Sequence, residues 1–531
     1  MSNADLRINV DRGKRAPLRR IWRYVGYDEP NYTYTERGRE LLGKLGAMSD
    51  GPYYTRCHFI LATGDGTGSP KWGSTNAYTL DEDGNPVYSF DIVDQILDAQ
   101  IETGCIPFLE IGFMPEALST APSEVPYKAI RDAGWAYPPN DYSRWADLIR
   151  EFARHLLDRY GVYQVSRWYW ELWNEPDIFY WAGTTEEYCR LYDYTQFALH
   201  SVIPQAILGG PGVTGPHEAH ASEFMEAFLE HCVRGEHAVT GAIGSRLDLI
   251  TFHAKGGGYH VDHDAPKETP TIKRLTDHIE TGLKIIEKFP ELKGIEVNLS
   301  ECDPDGWAAG GKHDNPNLNF RNTEYYSSYV AHEACQLVDL RADGPNRVDG
   351  MLTWAFQFEN REYFEGLRTL STNGIDKPVL NVFRLLARLG GVRVAADVEG
   401  GGKAQSGGVA ALGATGEMDG VQLLVSYHHD DWDVTDERTA SVTIKGLEPG
   451  RDYAITRWVV DRSRANSFRF WEEMGSPQKL SADQEQELRD AAALKPARDK
   501  PVTADGDGSV ELTMSLTTHA AVLVEVDPIR E

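Results

Sequence analysis

Two glutamates mark the ends of two apolar runs in this chain. Glu175 follows the aromatic-rich run 168–173 and stands in the tripeptide Asn-Glu-Pro, while Glu301 directly follows the run 294–300. A strand buried in a protein core carries no charge unless another group pairs with it or the protein uses it. The two carboxylates are therefore either members of structural ion pairs or the acid, base and nucleophile of a reaction.

The elements around these glutamates predict an α/β fold, a (β/α)8 TIM barrel over residues 20–392. Amphipathic segments separate the strand-like runs, and in 143–160 apolar residues recur at helical spacing with Ser143 as the predicted N-cap. Several strand-like runs are apolar nearly throughout, as expected for strands covered on both faces. The eight runs are 21–27, 53–60, 106–113, 168–173, 206–210, 247–253, 294–300 and 350–356.

The barrel gives both glutamates a defined place. Counted along it, Glu175 follows the fourth strand and Glu301 follows the seventh. Catalytic residues of such barrels lie at the carboxyl ends of the strands, so both glutamates fall where chemistry is expected. Two carboxylates at the mouth of one barrel would suit hydrolysis of a glycosidic bond held between them.

Beyond residue 392 the pattern changes to short alternating runs separated by turn residues. Residues 393–531 are predicted to form an antiparallel β-sandwich, with the polar segment 476–500 as a helical excursion within it. We expect the N-terminal residues 1–19 to pack on this sandwich. The strand-like runs are 421–427, 439–444, 453–460, 510–516 and 520–526.

The charge of the chain limits its partners. The 531 residues include 53 Lys and Arg against 81 Asp and Glu, a net charge of −28. This excess argues against nucleic acid and anionic membrane surfaces as partners. No apolar run approaches the ~20 residues that span a bilayer. A small glycoside or an oligosaccharide is the expected partner, and the sequence leaves the oligomeric state open.

The sequence predicts no metal and no cofactor. The six cysteines lack the close spacing of a disulfide framework or a zinc site, so we expect reduced thiols in a cytoplasmic protein. His260, His263 and Asp264 are interpreted as a solvated loop rather than as metal ligands. The first residues have no apolar signal core, although a signal segment that has been removed remains an alternative.

The residues around Glu175 predict its backbone conformation and its chemical role. Pro176 disfavours helical backbone at the residue before it, so we expect Glu175 to be extended at the strand end. The amide of Asn174 could bond a sugar hydroxyl beside the reacting carbon. Neighbouring aromatic rings are expected to raise the pKa of a carboxyl by desolvation, which suits a general acid. These rings belong to Trp170, Trp173, Phe179, Tyr180 and Trp181.

These motifs resemble a known family. The sequence Trp-Asn-Glu-Pro at 173–176 and a glutamate after the seventh strand resemble the clan of retaining barrel glycosidases. The whole chain, sandwich included, is similar to glycoside hydrolase family 39, which contains bacterial β-xylosidases and α-L-iduronidases. The resemblance implies that Glu175 is the acid/base and Glu301 the nucleophile.

Further positions match residues of that family. Arg56 would support the ionised nucleophile, and His58, His253 and Glu359 would bond sugar hydroxyls. The alternative for Arg56 is a structural ion pair, and for the histidines a role in the core.

Three positions resemble the iduronidase branch, in which they hold the carboxylate of the sugar. They are Lys255, Trp307 and Arg368. The alternative is that the two cations neutralise carboxylates of an acidic pocket. Because the net charge opposes anionic substrates, we favour a β-xylosidase over an iduronidase-type enzyme. A catalytically inactive sugar-binding protein is the third hypothesis, and it would require the loss of one of the two glutamates.

Overall fold

Strands and helices alternate through the first three quarters of the chain, and strands dominate the remainder. The computed structural model describes residues 6–529 except 70, 130, 259–262, 308–309, 345, 355, 403–406 and 417–419. The strands are β1 (Leu6–Pro17), β2 (Tyr24–Tyr27), β3 (Tyr54–Cys57), β4 (Tyr78–Leu80), β5 (Pro86–Tyr88), β6 (Ile106–Ile111), β7 (Tyr169–Leu172), β8 (Ile207–Val213), β9 (Leu249–Gly257), β10 (Glu296–Asp305), β11 (Val348–Trp354), β12 (Ser371–Thr372), β13 (Ile375–Asp376), β14 (Val392–Glu399), β15 (Gly407–Thr415), β16 (Val421–His429), β17 (Glu437–Lys445), β18 (Asp452–Val460), β19 (Pro496–Arg498), β20 (Val502–Thr503), β21 (Val510–Thr517) and β22 (Ala520–Pro528). The α-helices are α1 (Glu36–Gly46), α2 (Asp91–Glu102), α3 (Tyr142–Val165), α4 (Thr185–Val202), α5 (Ala219–Arg234), α6 (Ile272–Ile286), α7 (Glu324–Leu337), α8 (Pro378–Ala387), α9 (Ser467–Glu473) and α10 (Ala482–Ala492).

Eight strands close into a parallel barrel in the order β2, β3, β6, β7, β8, β9, β10 and β11, and β11 pairs back with β2. All eight predicted barrel strands are confirmed. Side chains two residues apart on a strand share a face. Phe108 and Tyr169 therefore point into the barrel together with Glu110 and Glu171. The rings belong to an apolar cluster of their own, which packs the barrel below those carboxylates.

Helix α3 covers the fourth strand, and its N-cap differs from the predicted one. Its N-cap is Asp141, whose carboxylate accepts hydrogen bonds from the backbone N–H groups of Ser143 and Arg144. The prediction of Ser143 as the cap is therefore wrong. The carboxylate of Asp141 satisfies two free N–H groups of the first turn, which is the work of an N-cap.

The C-terminal strands form a second sheet with its own apolar core. It contains ten strands, in the order β19, β18, β22, β16, β15, β14, β1, β17 and β21, with β20 attached to β18. The N-terminal strand β1 lies between β14 and β17 and is parallel to β17, so the sheet is mixed. Side chains from both ends of this order, such as Met514 and Ile455, share one core, as the layers of a sandwich do.

Helix α7 joins the barrel to this sheet. It contacts β10 on one side and β15, β16 and β22 on the other, and nearly all of its residues are buried. Three buried histidines meet at this junction: His332 on α7, His428 on β16 and His519 in the turn before β22. Each keeps one ring nitrogen without a hydrogen-bond partner in the described part of the chain.

Several sequence expectations concern groups other than the two glutamates. Among the described residues, no helix has the length and apolar character needed to cross a membrane. His263 and Asp264 are exposed, whereas His260 lies outside the described residues. All six cysteines are buried and carry free thiols: Cys57, Cys105, Cys189, Cys232, Cys302 and Cys335.

The histidine junction predicts a loss of stability in mild acid. Burial lowers the pKa of His332 and His519 to about 4 from the ordinary 6.5, and it holds the pKa of His428 well below that value. Below pH 6.5 the unfolded chain therefore binds more protons, so stability falls as the pH drops from 6.5 towards 4. Each unit of pKa difference corresponds to about 1.4 kcal/mol. Asp430 acts in the opposite sense, because burial raises its pKa to about 6.

The measurement is urea unfolding at pH 7.5 and pH 5.0. Between these two pH values, we expect the free energy of unfolding to change less in His332→Gln than in the parent protein. The difference should be at most the contribution of one titrating group, because glutamine does not titrate. The matched control is His263→Gln in an exposed loop, where the pH dependence should stay as in the parent protein. Equal pH dependence in parent and His332→Gln would contradict the assignment.

Candidate active site

The charged groups of the site lie on alternate positions of the barrel strands. Glu301, Asp303 and Asp305 are spaced by two on β10, and His253 and Lys255 are spaced by two on β9. Strand β10 runs to Asp305, five residues beyond its predicted end, so Glu301 lies within the seventh strand and not after it as predicted. The pairing register of β10 with β9 shifts between Leu299 and Glu301, a bulge that opposes Glu301 to His253. Bulges of this kind re-aim side chains near active sites.

The backbone at Glu175 differs from the expectation. Its φ is 44°, in the left-handed region, so the prediction of an extended Glu175 is wrong. The N–H of Glu175 donates to the carbonyl of Gly212 at 2.9 Å, and this bond ties the residue to the end of β8. Non-glycine residues adopt such a conformation at a cost of order 1–3 kcal/mol, and they cluster at functional sites.

The two glutamates lie close together with His253 between them. One carboxylate oxygen of Glu175, one of Glu301 and a ring nitrogen of His253 all lie within 4.8 Å of one another. Nδ1 of His253 is 2.9 Å from Oε1 of Glu175 and 3.8 Å from Oε2 of Glu301. Glu301 is nearly buried, whereas the side chain of Glu175 keeps 18% of its surface exposed. Oxygens of the two carboxyl groups that approach within 4.8 Å favour a retaining pair, whose carboxyl groups lie ~5–5.5 Å apart, over the wider spacing of an inverting pair.

Arg56 is the hub of the buried charges. Its side chain is fully buried, and its Nε donates to Glu171 at 2.6 Å. Nη2 donates to Oδ1 of Asn174 at 3.0 Å and lies 3.0 Å from Glu110. Nη1 donates to Glu301 at 3.4 Å. The guanidinium therefore orients Asn174 and Glu301 at once.

His58 links the nucleophile candidate to a second set of acids. Nδ1 of His58 hydrogen-bonds Glu110, and Nε2 lies 3.4 Å from Asp28 and 3.7 Å from Glu301. Asp28 also pairs with the Nζ of Lys71 at 3.1 Å. His58 is thus fixed in orientation by carboxylates on both of its nitrogens.

The surroundings of Glu301 favour its ionised form. Burial raises the pKa of this carboxyl, but His253, Lys255, Arg56 and His58 together hold it well below the ordinary value. Lys255 is the nearest full cation, with its Nζ 2.8 Å from Oε2. A carboxylate that stays ionised in a buried site is available as a nucleophile. The same cations disfavour a metal ion at the Glu175, His253 and Glu301 cluster, because its positive charge would meet theirs.

Lys255 and Arg368 share one buried acid. Oδ1 of Asp303 lies 2.7 Å from Nζ of Lys255, and Oδ2 accepts from Nη1 of Arg368 at 2.7 Å. Arg368 also donates to the carbonyl of Asp305 at 2.7 Å. Trp307 is half-buried beside this group, and its backbone N–H donates to the Asp305 carboxylate at 3.1 Å. The structure brings these predicted residues together around Asp303.

Two predicted contributors lie away from this group. Glu359 is half-buried and accepts a hydrogen bond at 3.1 Å from the backbone of Arg37 at the start of α1. None of its described contacts reaches Glu175 or Glu301. Trp170 packs against Phe152 and Trp168 on the helix side of the barrel, so its ring does not flank Glu175.

Several charged residues of the site were missed by the sequence reasoning. Glu110 and Glu171 are lone carboxylates inside apolar strands, the same signal that singled out Glu175. The others follow strands or lie in loops, and no local pattern marks their partners. They are Asp28, Glu29, Lys71 and Arg321.

The barrel and its paired glutamates define a glycosidase, and sequence comparison gives the family. The pattern of the Glycosyl hydrolases family 39 matches residues 6–511, so the chain belongs to that family. A beta-xylosidase of Caldicellulosiruptor saccharolyticus is 28% identical over 84% of this chain and 84% of its own length. An alpha-L-iduronidase of Mus musculus is 26% identical over 98% of this chain and 80% of its own length.

Solved structures share the fold. A bacterial orthologue of human α-L-iduronidase superposes with a TM-score of 0.79 at 22% identity, covering 99% of this chain and 84% of that one. A monomeric beta-xylosidase from Caulobacter crescentus gives 0.76 at 24% identity, covering 98% of this chain and 99% of that one. Both activities therefore occur among relatives of similar distance.

The position of Lys255 predicts the acid limb of the pH profile. Lys255→Met removes a cation 2.8 Å from Glu301, so the pKa of Glu301 should rise and the acid limb of kcat/KM should move to higher pH. Removal of an opposite charge at this distance shifts a carboxyl pKa by roughly 1–3 units. The control is Lys267→Met, since Lys267 follows the same strand but pairs with Asp431 and Asp433 at the surface. An acid limb unmoved in Lys255→Met would contradict the role given to this cation.

Proposed function

We propose that the protein is a retaining β-D-xylosidase that releases xylose from the non-reducing ends of small xylosides and xylo-oligosaccharides. The double-displacement mechanism is supported by the short distance between Glu175 and Glu301. The choice of sugar rests chiefly on one observation: Asp303 places one oxygen on Lys255 and the other on Arg368.

In the first step, a carboxylate oxygen of Glu301 attacks the anomeric carbon and the bond to the leaving oxygen breaks. Glu175 gives its proton to that oxygen, and a covalent glycosyl ester forms on Glu301. In the second step, Glu175 takes a proton from water, and the water oxygen attacks the anomeric carbon. Glu301 leaves as a carboxylate, and two inversions retain the configuration.

Asn174 is oriented for the hydroxyl beside the reacting carbon. Its Oδ1 already accepts from Arg56, so its Nδ2 remains as a donor for the sugar. A hydrogen bond to the 2-hydroxyl strengthens as charge develops in the transition state. Arg56 thereby acts on the substrate through Asn174 and on the nucleophile through its own contact with Glu301.

The charge balance supports a neutral sugar. The carboxylate of a uronate would require a cation that is not already paired with protein carboxylates. Lys255 is shared between Asp303 and Glu301, and Arg368 is paired with Asp303. A carboxylate placed beside them would compete with buried protein carboxylates. A xyloside carries only hydrogens at carbon 5 and makes no such demand.

An α-L-iduronidase-type activity is the second candidate. It is favoured by Nε of Arg368, which is buried and lacks a hydrogen-bond partner among the described residues. A sugar carboxylate could accept from this donor, and Trp307 lies near the same group of charges. A non-catalytic sugar-binding protein is disfavoured because both glutamates are present at catalytic spacing.

The glutamate roles predict different behaviour for the two variants. Glu301→Gly should reduce hydrolysis roughly 10⁴-fold or more. Added azide should restore part of the substrate cleavage, with a glycosyl azide of the opposite anomer as the product.

Glu175→Ala should cleave a dinitrophenyl glycoside to the covalent intermediate at a near-normal rate, because the leaving group needs little protonation. Deglycosylation should then become slow. Burst kinetics and NMR of the first anomer released provide the measurement, and release of the inverted anomer first would exclude double displacement.

The sugar preference is tested by comparing two substrates of the parent enzyme. We expect kcat/KM for a methylumbelliferyl β-xyloside to exceed that for the α-L-iduronide by at least about tenfold, or 1.4 kcal/mol. An iduronide ahead by tenfold would overturn the xylosidase proposal and leave the glutamate roles unchanged. If Lys255 and Arg368 serve only to balance buried carboxylates, Arg368→Met should expose no uronate hydrolysis.

A further inference from the structure

A large cleft lies away from the glutamates, between the barrel and the C-terminal sheet. Its volume is about 1050 Å³, and it is bordered by the segment after β16, by α9 and by the turn between β21 and β22. A neighbouring hollow of about 420 Å³ shares six lining residues with it, so the two form one continuous groove. None of the residues placed at the catalytic site lines this groove. Ligand sites occur preferentially at such domain boundaries.

His519 is an unusual residue in the wall of this groove. Its φ is 63°, in the left-handed region, although it is not a glycine. The side chain is only 4% exposed, and its Nε2 has no hydrogen-bond partner of normal geometry among the described residues. Burial lowers its pKa to about 4, so the ring is neutral at neutral pH. Nδ1 of the ring lies 3.5 Å from the hydroxyl of Ser328. A left-handed backbone that holds a buried imidazole in the wall of a cleft is an arrangement found at ligand sites.

The chemistry of the lining restricts the ligand. Trp432 and Phe470 supply aromatic surface. Five carboxylates but only two guanidiniums line the larger part of the groove, which disfavours anions. A sugar hydroxyl both donates and accepts, and it therefore suits a wall that offers carboxylate acceptors beside guanidinium and imidazole groups. The charged residues are Glu324, Asp436, Glu437, Glu472, Glu473, Arg462 and Arg469.

We propose that this groove is a second, non-catalytic binding site for a neutral oligosaccharide. Arg462 is its most accessible cation: its side chain is 64% exposed, and it lies 3.4 Å from Glu324, which Arg469 already pairs at 2.8 Å. Nη1 of Arg462 donates to Glu324, and its other exposed N–H groups can donate to sugar hydroxyls, while His519 lines the wall of the groove beside it. The use of a xylo-oligosaccharide as the probe rests on the proposed function.

The groove also touches the segment that anchors the nucleophile strand. Its smaller part is lined by Phe320 and its neighbours in the 3-10 segment Pro316–Asn322. Arg321 of this segment is fully buried and donates its Nε to Asp305 at the end of β10 at 3.0 Å. An occupied groove would thus hold the segment that supports the mouth of the barrel.

The experiment is calorimetric titration of xylotetraose into the full chain carrying Glu301→Gln, which prevents turnover. We expect a binding event that Arg462→Met weakens at least fivefold and that His519→Asn also weakens, since asparagine tolerates a positive φ. The matched control is Arg234→Met, a half-exposed arginine paired with Glu230 and Glu291, which should leave binding unchanged. Melting curves of each variant establish that the fold is intact.

The outcomes separate the two proposals. Two events, of which one responds to Arg462→Met, support both the groove site and binding at the barrel mouth. A single event that responds to Arg462→Met supports the groove while the xyloside assay decides the catalytic proposal. If every event is unchanged in both Arg462→Met and His519→Asn, or if no binding occurs, the groove is not an oligosaccharide site.

Discussion

The site depends on one buried guanidinium. Arg56 is fully enclosed, and it contacts two strand carboxylates, Glu110 and Glu171, together with Asn174 and Glu301. Removing one partner of such a buried pair costs roughly 3–5 kcal/mol, because the remaining charges lose their compensation. The carboxylates therefore require the arginine, and the arginine fixes the position of both the nucleophile candidate and the amide beside the acid/base candidate. The same contacts of Arg56 therefore stabilise the fold and position the candidate reacting groups.

The barrel makes this arrangement possible through the two-residue repeat of its strands. Aromatic side chains pack the interior at one level, and charged side chains occupy the next level towards the carboxyl ends, as Phe108 and Glu110 do on one strand. The apolar layer below keeps water from that side, so each ion pair above it is stronger than it would be in solvent. The bulge before Glu301 and the left-handed backbone of Glu175 then adjust two side chains that regular geometry would place elsewhere.

Local charge differs from overall charge, and this difference bears on the substrate. The chain carries a net charge of −28, yet cations surround Glu301. Those cations are matched by buried acids such as Asp303, so they stabilise the protein's own carboxylates. A sequence count of Lys and Arg near the site cannot distinguish a clamp for a sugar carboxylate from an internal salt bridge, because only the pairing decides it.

The sequence by itself determined the barrel, the C-terminal sheet and the two barrel strands with which the glutamates are associated, although Glu301 lies within its strand and not after it. Strand runs covered on both faces carry a continuous apolar signal, and a lone carboxylate that ends such a run is conspicuous. The tertiary structure decided the rest, because Asp28, Glu110, Glu171 and Asp303 acquire meaning only from partners distant along the chain. The backbone of Glu175 likewise follows from its bond to β8 and not from the proline after it. Local sequence fixes which elements form, whereas the pairing of buried charges is set by how those elements meet.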